Sequence, residues 1–196
     1  PLAIKTYELA LSKDQSSPGF IKLYRAMILS GDAKGADTRL SAWLTSHPKD
    51  MSVRRYAAQI FANSNRFKEA IAQYEFILNQ SPGNALLLNN LADLYQKTKD
   101  PRALDTAEKG YKLAPNHPSV LDTLGWILVE QGQLERATSL LRKAVEMDPK
   151  TGVHRYHFGV ALSRTGDRAN AKKELEAAIA SGQNFPEIKS AKELLK

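Results

Sequence analysis

Histidines and carboxylates are the residues of this chain that could do acid–base or metal chemistry. His154 and His157 lie three positions apart, a spacing that places both side chains on one side of a helix. A two-histidine metal site would still need ligands from a neighbouring element. The 196 residues include no cysteine, which excludes cysteine-ligated zinc and a cysteine nucleophile. Because phosphate-loop, zincin and nucleophile-elbow motifs are absent as well, we predict no catalytic residues, no metal site and no cofactor.

The net charge of +7 is the other feature that could indicate a partner, since a basic excess suits nucleic acid or an anionic membrane. The basic residues are spread along the chain, and they do not alternate with aromatic residues as in nucleic-acid modules. No apolar run approaches the roughly 18–20 residues of a membrane span. We therefore predict a mixed, solvated surface and no nucleic-acid partner. Any contact with a membrane would be made through an anchor outside this fragment.

Prolines reveal a period in the elements that must position any site. Pro48, Pro82, Pro115 and Pro149 lie 34, 33 and 34 residues apart, and each follows a helix-like stretch, as expected where proline ends a helix. The period divides the chain into five units: 17–50, 51–84, 85–117, 118–151 and 152–185. The third unit is one residue short, and the turn over 97–101 is the place where such a deletion is best tolerated.

Unit 118–151 shows the residue pattern most clearly. Its two helical faces hold Leu121, Leu124, Gly125 and Leu128, then Ala137, Leu141 and Ala144. The spacings of three and four residues predict two amphipathic helices. Gly125 is expected at their closest approach, and Gly132 is expected in the turn between them, where φ is positive.

The other four units repeat these residue classes, and the pattern resembles the tetratricopeptide repeat (TPR), a 34-residue helix–turn–helix. Corresponding positions hold Phe20, Leu23, Met27, Gly31 and Ala36; Ala57, Ala58, Phe61, Asn65 and Ala70; Leu88, Leu91, Ala92, Tyr95 and Ala103; and Phe158, Gly159, Leu162, Gly166 and Ala171. The resemblance implies an all-α, right-handed superhelical solenoid of antiparallel helix pairs, with turns near Gly31, Asn65, Gly132 and Gly166.

The two ends complete a single array over 1–196. Residues 1–16 resemble the second helix of a truncated repeat, so the native protein is expected to contain further repeats upstream. Residues 186–196 should form a polar-faced helix that caps the solenoid. This cap suggests that the natural C-terminus is intact.

The TPR pattern implies that certain positions of each first helix line a concave groove. We predict that partner-binding residues occupy these positions: Arg25, Arg55, Tyr56, Gln59, Asn89, Asn90, Asp93, Asp122, Thr123, Trp126, Tyr156 and His157. Trp126 is the expected anchor, since tryptophan is favoured at binding hot spots. Packing between adjacent first helices is the competing interpretation for Tyr56, Trp126 and Tyr156.

The C-terminal part, 118–196, resembles a narrower group, the TPR-repeat lipoproteins of bacterial PEP-CTERM/exosortase exopolysaccharide systems. The stretches that carry this resemblance are 121–128, 156–162 and 180–186. It implies a periplasmic, lipid-anchored protein that acts in exopolysaccharide production or export, or in protein sorting.

Three functions follow as hypotheses. The first is a non-catalytic scaffold whose groove binds a protein segment in such a system. The second is a groove that binds the exported polysaccharide. The third is a cytosolic TPR adaptor unrelated to export.

Overall fold

The computed structural model describes residues 2–195, and this part of the chain consists of α-helices and turns without a strand. Twelve helices are found in this range: α1 Leu2–Lys13, α2 Ser17–Leu29, α3 Ala33–Ser46, α4 Met51–Asn63, α5 Phe67–Gln80, α6 Ala85–Lys97, α7 Ala103–Leu113, α8 Pro118–Glu130, α9 Leu134–Met147, α10 Gly152–Arg164, α11 Arg168–Ala180 and α12 Ile188–Glu193. Helices α2 to α11 form five contacting pairs, one in each unit. The all-α prediction is confirmed.

Side-chain caps explain where several of these helices begin. Asp32, Asp50 and Asn84 each accept a hydrogen bond from the backbone N–H three residues later, at the starts of α3, α4 and α6. Such a cap satisfies one of the backbone donors that the first turn of a helix leaves without a partner.

The turn inside each pair holds one residue with positive φ, always at position 15 of its unit. These residues are Gly31, Asn65, Lys99, Gly132 and Gly166, with φ values of 85°, 58°, 57°, 75° and 89°. The four turns predicted at glycine or asparagine are confirmed. Lys99 shows that the repeat geometry imposes this conformation even on a residue that does not favour it.

The two helices of unit 118–151 approach each other most closely at Gly125, as predicted. A Cβ atom added there would lie 2.6 Å from Cγ of Leu141. Tyr24 occupies the equivalent position in unit 17–50, where it is only 1% exposed, and its hydroxyl lies 3.3 Å from Oδ1 of Asp37. Burial, reinforced by the Asp37 carboxylate, raises the pKa of Tyr24.

Helix α7 shows the structural effect of the one-residue deletion. It begins at Ala103, which corresponds to Ala137 in α9, although α9 itself begins three residues earlier at Leu134. In place of the missing first turn, the Asp100 carboxylate accepts hydrogen bonds from the backbone N–H and the guanidinium of Arg102. These bonds lower the pKa of Asp100 to about 2.

The helices group into two compact units, one ending at Pro82 and the other beginning at Gly83. The boundary lies in the turn between the second and third repeats. In the second unit, α6 contacts α8, and α8 contacts α10. The first helices of successive pairs are therefore neighbours there.

The two ends differ in how well they are buried. Helix α1 contacts α2 but has no buried residue. Of the cap expected over 186–196, only Ile188–Glu193 is helical, and residue 196 lies outside the described residues. Glu187 occupies the N-cap position without a side-chain cap bond, which leaves the start of this helix weakly fixed. Ala191 is fully buried, so α12 is docked on the unit.

Candidate partner-binding site

Helix α6 carries three of the predicted binding residues of the second unit. Asn89, Asn90 and Asp93 are all half-buried. The Asp93 carboxylate accepts a hydrogen bond of 2.8 Å from Nζ of Lys97, one helical turn away. An amide side chain both donates and accepts hydrogen bonds. This helix can therefore offer partners to the N–H and C=O groups of an extended peptide.

Asp122 of α8 and His157 of α10 form a buried hydrogen-bonded pair. Nδ1 of His157 lies 3.0 and 2.9 Å from the two carboxylate oxygens, and the residues are 6% and 7% exposed. Because an ionised carboxylate only accepts, the proton is assigned to Nδ1. The pair links neighbouring first helices, and it presents little surface to a ligand although both residues were predicted in the groove.

Trp126 is held in place by this pair. Its ring stacks on the imidazole of His157, with centroids 4.3 Å apart and planes at 15°. Tyr156 packs against the same indole at 6.1 Å. Trp126 is half-buried, whereas Tyr156 is 6% exposed. Tyr156 therefore packs between elements, while Trp126 keeps part of its surface open. Thr123, one turn before Trp126, is half-buried.

A cavity of about 380 Å³ opens beside Trp126. Trp126 of α8 forms one wall, and residues of α10 form a second wall. The third wall consists of residues of α12 and of Leu194, which follows it. The lining residues beyond Trp126 and Tyr156 are Val160, Ser163, Arg164, Ser190, Glu193 and Leu194. This cavity lies entirely within the second unit.

Two side chains of this cavity are fixed by specific interactions. The Arg164 guanidinium donates to the carbonyl of Val129 and to Oε1 of Glu130, each at 2.9 Å. Burial raises the pKa of Tyr156, and the Glu187 carboxylate adds to this effect. Tyr156 is therefore a neutral phenol at physiological pH.

The repeat pattern did not predict the contribution of α12 to this cavity. Ser163 falls at position 12 of its unit, which is one of the positions that line the groove in the TPR pattern. The sequence could therefore have identified Ser163 as a groove residue. Ser190, Glu193 and Leu194 lie beyond the last 34-residue unit and carry no repeat signal of their own. Continuing the count from residue 186 places Ser190 at position 5 and Leu194 at position 9 of an incomplete sixth unit.

The four predicted residues of the first unit differ in how far they are exposed. Arg25, Arg55 and Gln59 are exposed, and Tyr56 is half-buried. The ring of Tyr56 meets Tyr24 edge-on, with centroids 6.2 Å apart. This contact is the packing between first helices that was the competing interpretation for Tyr56.

The first unit has a larger cavity elsewhere, between α1, α2 and α3. It measures about 480 Å³ and includes Trp43 and His47 in its walls. These two rings stack at 4.1 Å, and Nε1 of Trp43 donates to Asp50 at 2.9 Å. Trp43 is 7% exposed, so it serves mainly as a packing residue, and none of the predicted binding residues lines this cavity.

The two histidines of α10, His154 and His157, have different surroundings. His157 is paired with Asp122, whereas Nδ1 of His154 is buried without a hydrogen-bond partner in the described structure. Within residues 2–195, no group of three or more histidine, aspartate or glutamate side chains is placed to hold a metal ion. Among the helices of this range, none combines the length and the apolar character that crossing a membrane requires.

Two segments match a known repeat family. Residues 57–118 and residues 128–195 each match the tetratricopeptide repeat. The two segments contain α5 to α7 and α9 to α12 in full. Neither family description names a catalytic activity.

Two curated relatives share part of the chain. A TPR repeat-containing protein of Pseudomonas aeruginosa is 29% identical over an alignment of 123 residues that covers 58% of this chain and 20% of that protein. Cellulose synthase operon protein C of Pseudomonas fluorescens is 31% identical over an alignment of 134 residues that covers 65% of this chain and 10% of that protein. The chain thus matches a fifth or less of the length of these relatives.

A solved structure shares the fold over nearly the whole chain. YrrB, described as a TPR protein with an unusual peptide-binding site, aligns with a TM-score of 0.66 and 20% identity. The alignment covers 97% of this chain and 100% of that one. At this identity the likeness shows the fold alone, a solenoid of tetratricopeptide helix pairs.

Proposed function

We propose that this chain, which carries tetratricopeptide repeats, is a non-catalytic scaffold that binds an extended protein segment on the first helices of its second unit. The observation that supports this proposal most directly is the set of polar side chains on α6. Asn89, Asn90 and Asp93 keep part of their surface open on a helix whose leucines already supply the packing. A repeat protein needs mainly its apolar and small positions for stability, so the open surface of these polar side chains can serve binding.

The remaining predicted residues belong to the same proposal. Arg25, Arg55, Tyr56 and Gln59 would contact a partner on the first unit. Thr123 and Trp126 would do so on the second. Three of the predicted residues are buried beneath or beside Trp126, namely Asp122, Tyr156 and His157. They would affect binding by holding Trp126 in position.

We further propose that the scaffold serves a bacterial exopolysaccharide system, in biosynthesis, export or sorting of PEP-CTERM proteins. Two features support this: the resemblance of residues 118–196 to lipoproteins of such systems, and the similarity to a cellulose synthase operon protein. The periplasm, with a lipid anchor outside this chain, is the location that fits this role. The N-terminus of the full-length gene product tests it, because a lipobox there would support export and its absence would support a cytosolic adaptor.

Peptide selection tests the scaffold proposal directly. We expect a random peptide library displayed on phage to yield binders to the chain 1–196, since amide side chains can bond to any peptide backbone. Asn89→Ala should weaken the best peptide about tenfold, as a lost hydrogen bond does. Asn79→Ala, which removes an exposed amide from the second helix α5, is the matched control. No selectable peptide, or equal affinity for the two variants, would contradict the proposal.

A further inference from the structure

We propose that the cavity beside Trp126 binds an uncharged saccharide. This site lies between α8, α10 and α12, and it is distinct from the amide row of α6 that we assign to a protein segment. The inference goes beyond the proposed scaffold function and does not depend on it.

Trp126 contributes an aromatic plate to the cavity. His157 covers one face of its indole, at a centroid distance of 4.3 Å. An aromatic face carries negative charge density and attracts polarised C–H groups. A pyranose ring has one such C–H face, which makes it a good partner for a fixed indole.

Hydroxyl groups surround this plate. Tyr156, Ser163 and Ser190 line the cavity, and a hydroxyl can donate and accept at the same time. Sugar hydroxyls also donate and accept, so a sugar hydroxyl can form a hydrogen bond with any of these side-chain hydroxyls. The Tyr156 and Ser190 hydroxyls also interact with each other, and an apolar peptide side chain would offer neither of them a further hydrogen-bond partner.

Arg164 and Glu193 supply the stronger hydrogen bonds. A guanidinium carries five N–H donors, and the bonds of Arg164 to Val129 and Glu130 orient it without using all of them. The Glu193 carboxylate is an acceptor for sugar hydroxyls from the opposite wall. Bonds to ionised groups are roughly twice as strong as neutral ones.

The charge balance favours a neutral ligand. The positive charge of Arg164 is offset by Glu130 at 2.9 Å, and Glu193 adds a negative charge. Among the described residues that line the cavity, no cation is therefore left uncompensated to select a phosphate or a uronate. Its volume of about 380 Å³ lies within the range of small-molecule sites.

Helix α12 thus has two roles. Its Ala191 is fully buried and docks the helix on the preceding helices. Ser190 and Glu193 of the same helix complete the wall of the cavity.

Tryptophan fluorescence provides the test. The chain has only two tryptophans, so Trp43→Phe leaves Trp126 as the sole reporter, with circular dichroism to verify the fold. We expect cellohexaose or chitohexaose to change the Trp126 emission saturably. A hexagalacturonate, which carries charge, should do so at least about tenfold more weakly.

Exposed variants separate binding from folding. Glu193→Gln should weaken the oligosaccharide about tenfold in calorimetric titration, because it removes a charged acceptor. Glu176→Gln, on an exposed carboxylate of α11, is the matched control. Trp126→Ala should abolish oligosaccharide binding, whereas Asn89→Ala, on a helix that does not line the cavity, should leave it unchanged.

Three results would overturn the saccharide site. The first is the absence of a saturable response to either neutral oligosaccharide at millimolar concentration. The second is equal affinity of the Glu193→Gln and Glu176→Gln variants. The third is a response of Trp126 to the selected peptide alone, which would make the cavity a peptide site. None of these results bears on the contribution of Asn89, so the scaffold proposal is judged separately.

Discussion

At the scale of single residues, position 15 of each repeat shows how the fold constrains side-chain choice. The same left-handed backbone occurs at Gly132 with φ of 75° and at Lys99 with φ of 57°. A residue with a Cβ atom pays a steric penalty there, whereas glycine does not. The turn geometry is thus set by the two flanking helices, and the residue adapts to it.

Lys99→Gly should stabilise the protein for this reason. Relief of the left-handed backbone outweighs the added entropy of the unfolded chain, and the net gain should be about 0.5–1 kcal/mol. Urea unfolding measures it. Lys112→Gly, inside α7, is the control and should destabilise by a similar amount. An unchanged or lower midpoint for Lys99→Gly would show that its side chain stabilises the turn.

The Asp122–His157 pair is the second feature at this scale. Asp122→Ala should destabilise by about 1–3 kcal/mol, because it leaves the buried Nδ1–H of His157 without an acceptor. A double-mutant cycle with His157→Ala should give a coupling of about 0.5–3 kcal/mol. Asp93→Ala, which breaks an exposed pair with Lys97, should cost less than about 0.5 kcal/mol. Additive effects of the two buried substitutions would contradict the pair.

At the scale of elements, the helix pairs of the second unit depend on small residues at their crossing. Gly125 approaches α9, and Gly159 approaches α11 at the same repeat position, where an added Cβ atom would lie 2.9 Å from Cγ of Leu175. Two helices can approach this closely only where one side chain is missing. The leucines opposite each glycine fill the space that results.

Gly125→Leu should therefore overpack the pair α8–α9. The expected loss is about 1–3 kcal/mol or more, measured as a lower urea midpoint. Gly83→Leu is the matched control, since nothing lies within 4 Å of a Cβ atom at that position. If the Gly125 and Gly83 variants had the same urea midpoint, α8 and α9 could move apart at their crossing without a loss of stability.

At the scale of the whole chain, burial is uneven from element to element. Leu121, Leu124 and Leu128 of α8 are fully buried, whereas α1 has no buried residue. In repeat proteins, stability is approximately the sum of terms within repeats and between neighbours. Elements with few buried contacts therefore open first.

Hydrogen exchange should reveal this gradient. Amides of α1 should exchange with the lowest protection and those of α8 with the highest, when both are followed by mass spectrometry at one pH and temperature. Helix α2 provides the internal comparison, because it buries Phe20, Leu23 and Met27 and should resemble the core rather than α1. Equal protection of α1 and α8 would indicate that the chain opens only as a whole.

The sequence alone determined the five helix pairs, the position of their turns and the close approach at Gly125. These features are local: a helix face, a turn residue and a crossing point recur within each unit of about 34 residues, so one sequence contains five examples of the same pattern. The deletion in unit 85–117 was also visible, although its effect on the start of α7 was not.

Only the tertiary structure decided which groove residues are open. Asp122 and His157 lie 35 residues apart, and their mutual burial depends on how α8 and α10 pack, which no position within one repeat encodes. The cavity beside Trp126 also required α12, whose six residues carry no complete repeat pattern. A cavity is formed where side chains of several helices fail to meet, so its existence follows from packing in three dimensions rather than from any local period.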